Sequence, residues 1–104
     1  MEVRAYERED GTKPFEQWFN SLSSGHALRI RTALARMEEG NFSNVKSVGN
    51  GVSERIIDFG PGYRVYFARD GDNLIILLGG GTKKRQQNDI DNAKKRWRDY
   101  KNRK

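Results

Sequence analysis

Basic side chains are the candidates for chemistry in this sequence. Arg64 lies in the middle of the run GYRVYF, and its planar guanidinium can donate hydrogen bonds to two oxygens of one phosphate. Lys83 and Lys84 follow Gly79–Gly81, where small residues let a ligand approach the backbone closely. Two more basic residues, Arg55 and Lys46, occur in the predicted strands before Arg64 and face it if the strand registers allow. These residues predict a site that binds phosphate groups.

The charge distribution also points to an anionic ligand. Residues 83–104 contain ten lysines and arginines against three aspartates, a net charge of +7 within a chain of net charge +6. The first 82 residues therefore carry a net charge of −1. A positive field concentrated at one end of the chain favours RNA, DNA, the ribosome or an acidic protein partner. A solvated basic helix is the structural alternative.

The composition excludes several kinds of site. The chain has no cysteine and a single histidine, His26, so thiol nucleophiles, disulfides and zinc sites built from cysteine or histidine are excluded. The acidic residues are scattered and not spaced as ligands for a hard cation, so we expect no metal and no cofactor. No apolar run is long enough to span a membrane and the first residues lack the apolar stretch of a secretory signal, so we expect a cytoplasmic protein.

The 104 residues predict one domain, over residues 1–104, with the element order β-α-α-β-β-β-β-α. Residues 1–9 alternate weakly and suit an edge strand. Helices are predicted from apolar residues at helical spacing, which are Phe15, Trp18, Phe19 and Leu22, then Ala27, Ile30, Leu34 and Met37, and finally Ile90, Ala93, Trp97 and Tyr100. Ser23 or Ser24 caps the second helix, and Gly40-Asn41 ends it.

From residue 43 onward the pattern changes to the alternation typical of strands. Asn50-Gly51, Gly60-Pro61-Gly62 and Asp70-Gly71 separate four apolar runs, which predicts an antiparallel four-strand meander. In the third run, Tyr63, Val65 and Phe67 share one face, and Arg64, Tyr66 and Ala68 share the other. The expected fold is α+β, with the helices packed on one side of a twisted sheet and its other face open to ligand or solvent.

The run GVSERIIDFGPGYRVYFARDGDNLIILLGGGTKKRQQNDIDNAKKRW, residues 51–97, resembles the RelE/ParE toxin superfamily, in its HigB-like branch of phage-derived addiction-module killer proteins. The order of a strand with an acidic-basic pair, a GPGYRVYF-like strand, an apolar strand ending in glycines, a lysine and a Q-x-D-I-x-x-A helix carries the resemblance. The upstream segments PFEQWFNSL and EEGNFSNVKSVGNG fit the same family. The resemblance implies a RelE-like fold and the toxin of a type II toxin–antitoxin system.

The resemblance further implies an endoribonuclease that cleaves mRNA on the ribosome without a metal ion. Such cleavage needs a proton acceptor, a proton donor and positive groups that stabilise the charge on the phosphorane. Arg64 matches the functional arginine of the family and is the first candidate for binding the phosphate. The alternative is that Arg64 covers the open sheet face or pairs with Glu54. Basic residues on the neighbouring strands help to bind RNA or carry protons in this family, which suggests these roles for Arg55 and Lys46, with surface solubility as the alternative. The family also places basic residues beside the cleavage site at the position of Lys83 and Lys84.

Further residues are candidates for RNA binding, namely Lys84, Arg85, Gln87 and Tyr66. Gln87 matches the glutamine of the family pattern, and Tyr66 could stack on a base or simply pack in the core. His26 and Tyr100 are expected to be structural, so the proton donor and acceptor remain open. Two other functions stay possible at this point: a ParE-like inhibitor of DNA gyrase, and a non-enzymatic module that binds nucleic acid or protein. The resemblance also implies a partner antitoxin of the helix-turn-helix type.

Overall fold

The elements follow the predicted order. The computed structural model describes all residues, 1–104. Its strands are β1 (Glu2–Ala5), β2 (Val45–Gly49), β3 (Val52–Ile57), β4 (Tyr63–Arg69) and β5 (Leu74–Thr82). Its helices are α1 (Pro14–Asn20), α2 (Ser24–Glu38) and α3 (Gln86–Asn102), with a short 3-10 turn at Lys83–Arg85 before α3. The α+β class and the C-terminal helix are confirmed.

A single five-stranded sheet has the strand order β1-β5-β4-β3-β2. Strands β2 to β5 form the predicted antiparallel meander, and Asn50 and Gly51 in the first hairpin both have the positive φ that its tight turn requires. β1 is an edge strand, as predicted, but it is shorter than residues 1–9 and pairs in parallel with β5, Glu2 lying opposite Leu74. β1 therefore joins the sheet only through its hydrogen bonds to β5, the last strand in the chain.

Helices α1 and α2 cover one face of the sheet. Ile30 and Met37 of α2 are fully buried, and they pack with Phe15 of α1 against the sheet residues Val65 and Phe67. This arrangement follows from the apolar stripes read in the two helices and from the alternation in β4. α2 begins at Ser24 after the N-cap residue Ser23, whose side chain makes no capping hydrogen bond.

Helix α3 covers the opposite face of the sheet, which corrects the expectation that the helices lie on one side only. Ile90, Ala93 and Trp97 of α3 pack against Tyr66 and Ala68 of β4. The second face is apolar along much of β4 and β5, and an apolar sheet face is stable only when another layer covers it. The open sheet face expected from the sequence is therefore a second core.

The end of α3 forms hydrogen bonds with the residue that follows β1 and with the β4–β5 turn. The Tyr6 hydroxyl donates to an Asp99 carboxylate oxygen at 2.6 Å, and the Tyr100 hydroxyl donates to Asp70. Arg103 and Lys104 form ion pairs with Asp99 and Asp70. Part of the positive charge of the C-terminal segment is thus used within the protein. None of the helices has the length and apolar character needed to cross a membrane.

Candidate phosphate-binding site

Arg64 and Lys83 meet at the carbonyl group of Gly62. Arg64 Nη1 donates to this carbonyl at 3.3 Å, and the backbone N–H of Lys83 donates to the same oxygen at 2.7 Å. Gly62 has φ +78°, and a Cβ at this position would lie 3.4 Å from Lys83 Cβ. The loop between β3 and β4 therefore holds the arginine and the lysine side by side at one end of the sheet.

Arg64 is largely enclosed by its neighbours. Its side chain is 10% exposed, and its Nε lies 3.8 Å from a carboxylate oxygen of Glu54, which is 5% exposed. The Gln86 side-chain amide at the start of α3 donates to both oxygens of Glu54, at 2.9 and 3.1 Å. The structure thus contains the Arg64–Glu54 pair that the sequence left open as an alternative. Only a small part of the Arg64 side chain, which we call its window to solvent, stays exposed next to Lys83.

The turn that precedes α3 adds exposed positive charge beside this window. Lys83, Lys84 and Arg85 are all exposed in the 3-10 turn, and none of them forms an ion pair. The turn leads directly into the 17-residue helix α3, whose first peptide N–H groups add partial positive charge. We call Arg64, Lys83, Lys84 and Arg85 the basic corner. Its charge and its hydrogen-bond donors suit an anionic ligand.

The other two basic candidates, Lys46 and Arg55, lie on opposite faces of the sheet. Lys46 lies opposite Glu54 in the β2–β3 register, and Glu54 lies opposite Tyr66, so Lys46 is on the face of Arg64 but two strands away. Arg55 is adjacent to Glu54 in β3 and therefore points to the α2 side of the sheet. The sequence left the face of Arg55 open, and the β3–β4 register decides it by placing Ile56, and not Arg55, opposite Arg64.

Of two further candidates for RNA contact, Tyr66 is buried and Gln87 is exposed. Tyr66 is completely buried, and its hydroxyl has no hydrogen-bond partner, so its ring cannot stack on a base in this conformation. Burial raises the pKa of Tyr66, and the nearby carboxylates of Glu54 and Asp89 raise it further. Gln87 is exposed and donates to Asp91 one turn along α3. The glutamine that joins the site is Gln86, which the sequence analysis did not select.

The glycines at the end of β5 make room for the protein's own side chains. A Cβ on Gly80 would lie 2.2 Å from the Trp18 ring, and a Cβ on Gly81 would lie 1.9 Å from Asp89 Oδ2. Gly79 is similarly covered by Arg96, which donates to the carbonyl of Leu78 at 2.9 Å. The expectation that these glycines admit a ligand is corrected, since Trp18, Asp89 and Arg96 already occupy both faces of the strand end.

Asp89 is the functional candidate that the sequence analysis missed. Its Oδ2 is buried without a hydrogen-bond partner against Gly81, which pairs directly with Arg64 in the neighbouring strand. Burial raises the pKa of Asp89, although the charges of Arg85 and Arg96 act in the opposite direction. Asp89 also lines a polar cleft of about 290 Å³ together with both arginines. A carboxyl group with a raised pKa beside a basic surface is suited to proton transfer.

His26 and Tyr100 have structural contacts. His26 Nδ1 lies 2.6 Å from the hydroxyl of Tyr63, on the α2 side of the sheet and away from the face of Arg64. Tyr100 stacks on Trp97 with ring centroids 5.3 Å apart. Both contacts agree with the structural roles expected for these two residues.

Comparison with known proteins assigns the chain to a family. The family model described as "Phage derived protein Gp49-like (DUF891)" matches residues 17–98, a range that includes the whole basic corner and Asp89. A protein of Haemophilus influenzae described as "Uncharacterized protein" is 42% identical over 84 residues, which cover 80% of this chain and 85% of that protein. The chain therefore belongs to the Gp49-like family of phage-derived proteins, which is associated with addiction-module toxins.

Proposed function

We propose that the protein is the toxin of a type II toxin–antitoxin system, of the RelE/HigB-like kind, and that it cleaves mRNA on translating ribosomes. The observation that carries the proposal is the joint attachment of Arg64 and Lys83 to the carbonyl of Gly62. This attachment fixes the Arg64 guanidinium and the backbone of Lys83 beside each other before any substrate binds, and fixed charges stabilise a transition state more than mobile ones do. Action on ribosomes implies a cytoplasmic location.

The proposed reaction is attack of a ribose 2′-oxygen on the adjacent phosphorus. The 2′-oxygen loses its proton and forms a bond to phosphorus, and the bond from phosphorus to the 5′-oxygen breaks. The departing 5′-oxygen takes a proton from water, so the products carry a 2′,3′-cyclic phosphate and a 5′-hydroxyl. Arg64 and Lys83 would stabilise the negative charge of the phosphorane, while Lys84 and Arg85 bind flanking phosphates. We assign Asp89 as the acceptor of the 2′-hydroxyl proton, because burial raises its pKa and it packs against Gly81, the residue that pairs with Arg64.

Mapping message ends tests the proposed activity. Purified protein is added to ribosomes that translate a defined message, and the 5′ ends are sequenced with and without the protein. We expect new ends within the translated region, only when ribosomes are present. Intact messages together with gyrase-dependent DNA breaks would instead support the ParE-like function, and RNA binding without cleavage would support the non-enzymatic one.

The assignment of Asp89 predicts a specific pH dependence. A general base is active in its unprotonated form, so cleavage should rise with pH through the raised pKa of Asp89 and level off above it. The Asp89→Asn variant should cleave about a hundredfold more slowly or worse and lose this rise. The matched control is Asp91→Asn, at an exposed position two residues along the same helix. Equal pH profiles for Asp89→Asn and the wild type would reject the assignment.

A helix-turn-helix antitoxin is the proposed protein partner. The exposed charges of the basic corner suit an acidic surface on such a partner, which would block access to Arg64. A complex held together by exposed charges weakens as salt screens them. The adjacent reading frame in the genome is where this partner would be encoded.

A further inference from the structure

A second group of cations lies on the other face of the sheet. Arg29 and Arg36 of α2 and Arg55 of β3 line a cleft of about 270 Å³ between that helix and the strand. Arg29 and Arg36 are exposed, whereas Arg55 is only 6% exposed. We call these three residues the arginine cleft. It is distinct from the basic corner, because Arg55 and Arg64 point to opposite faces.

The Arg55 guanidinium is held in place, but only some of its hydrogen-bond donors have a partner. Its Nη1 donates to the carbonyl of Ile56, and its Nε is buried without a hydrogen-bond partner. Burial lowers the pKa of Arg55, and the positive charge of Arg36 lowers it further. A buried guanidinium with an unused donor and a like charge nearby reduces stability. A ligand that accepts this hydrogen bond would remove that penalty.

The arginine cleft lacks compensating negative charge. Asp58 is the one acidic residue among its lining residues, and none of the three arginines forms an ion pair. Most arginines that a protein buries for structural reasons are paired with a carboxylate. An external anion would supply the negative charge that the cleft lacks.

An aromatic side chain forms the rim of the arginine cleft. The Arg29 guanidinium lies 4.3 Å from the centroid of the Phe59 ring, and the His26 ring meets the same ring edge-on at 5.0 Å. Phe59 is partly exposed and belongs to the loop that also contains Gly62. Guanidinium and aromatic planes together are typical of surfaces on which the bases of single-stranded RNA stack.

We propose that the arginine cleft binds a backbone phosphate of single-stranded RNA, with Arg55 and Arg36 on the phosphate and Phe59 beside a base. The choice of RNA rests on the proposed function, whereas the choice of a phosphate rests on the three unpaired guanidiniums. The aromatic rim favours RNA over an acidic peptide, which offers carboxylates but no bases to stack. The protein would thus hold RNA on both faces of the sheet.

RNA affinity at several salt concentrations tests the proposal. The probe is a short fluorescent single-stranded RNA with every 2′-hydroxyl methylated, so that no cleavage occurs. Arg36→Gln should weaken binding about fivefold, the upper range for an exposed ion pair. It should also reduce the slope of log K against log salt by about 0.7, which corresponds to one lost phosphate contact. The matched control is Arg31→Gln, an exposed arginine of the same helix outside the cleft, which should keep the slope.

The Arg55→Met variant separates binding from folding. Because it removes a buried and incompletely satisfied charge, we expect Tm to rise by about 4 °C while RNA affinity falls. A structural role for Arg55 would lower Tm instead. An Arg55→Met protein that folds and binds RNA as the wild type does would overturn the proposal, as would equal salt slopes for Arg36→Gln and Arg31→Gln.

Two further outcomes distinguish the ligand and the two proposals. Inorganic phosphate that competes with the RNA probe at equal affinity would show a small-anion site and overturn the RNA assignment. Normal RNA affinity in the Arg36→Gln variant, together with message cleavage by the wild type, would reject the cleft and leave the proposed function intact. RNA binding that depends on the arginine cleft, without any message cleavage by the wild type, would support the cleft and reject the proposed function.

Discussion

The Arg64→Ala variant is expected to lose message cleavage by about a hundredfold or more and to stop inhibiting growth. Removing one preorganised donor that stabilises a developing anion costs about this much in enzymes. The Lys83 ammonium would remain as the nearest cation in the basic corner, and it is a point charge without the paired donors that a guanidinium provides. The measurement is single-turnover cleavage of a message on stalled ribosomes, with a growth assay beside it.

The control for this variant follows from the Arg64–Glu54 pair. Arg64→Ala leaves the Glu54 carboxylate buried with Gln86 as its remaining partner, at a cost of about 1–3 kcal/mol in folding. The double variant Arg64→Ala/Glu54→Gln removes both charges and should recover most of the lost stability. If the double variant is folded and still cleaves at the wild-type rate, Arg64 does not contact the phosphate.

The Gly80→Ala variant is expected to show the largest loss of stability. Its new methyl group would overlap the Trp18 ring, which lies against the strand at 2.2 Å from the Cβ position. Overpacking of this kind costs about 3 kcal/mol, which corresponds to a fall in Tm of about 12 °C in a domain of this size. Thermal unfolding followed by circular dichroism measures the shift.

A second glycine provides the matched control. A Cβ on Gly25 meets nothing within 4 Å, and Gly25 lies in the first turn of α2. Gly25→Ala should therefore raise stability by about 0.5 kcal/mol through its higher helix propensity. Equal Tm values for Gly80→Ala and Gly25→Ala would contradict the close contact between Trp18 and the strand.

The sequence predicted the helices, strands and turns correctly, because the residues that determine each of them are neighbours in the chain. The stripe of Ile30 and Met37 requires only the helical repeat, and the turn at Asn50-Gly51 requires only residues that tolerate positive φ. The alternation in β4 correctly placed Arg64 and Tyr66 on one face. These inferences involve residues close together in the chain.

Predictions failed where they depended on residues far apart in the chain. The face of Arg55 relative to Arg64 is set by the register across the loop at residues 58–62, which the sequence does not specify. The unpaired Asp89 and the pair of Glu54 with Gln86 depend on how α3 crosses the sheet. One signal was present: the run of apolar residues in β5 is typical of a strand that is buried on both faces, and this predicts a helix on each side.

The parallel pairing of β1 with β5 determines when the chain can fold during its synthesis. β5 lies between β1 and β4, so the sheet cannot close until β5 has left the ribosomal exit tunnel. Pairings between such distant segments raise contact order and slow folding. A nascent chain of this protein therefore lacks the complete sheet, and with it the basic corner that follows β5, until residues 74–82 have been synthesised.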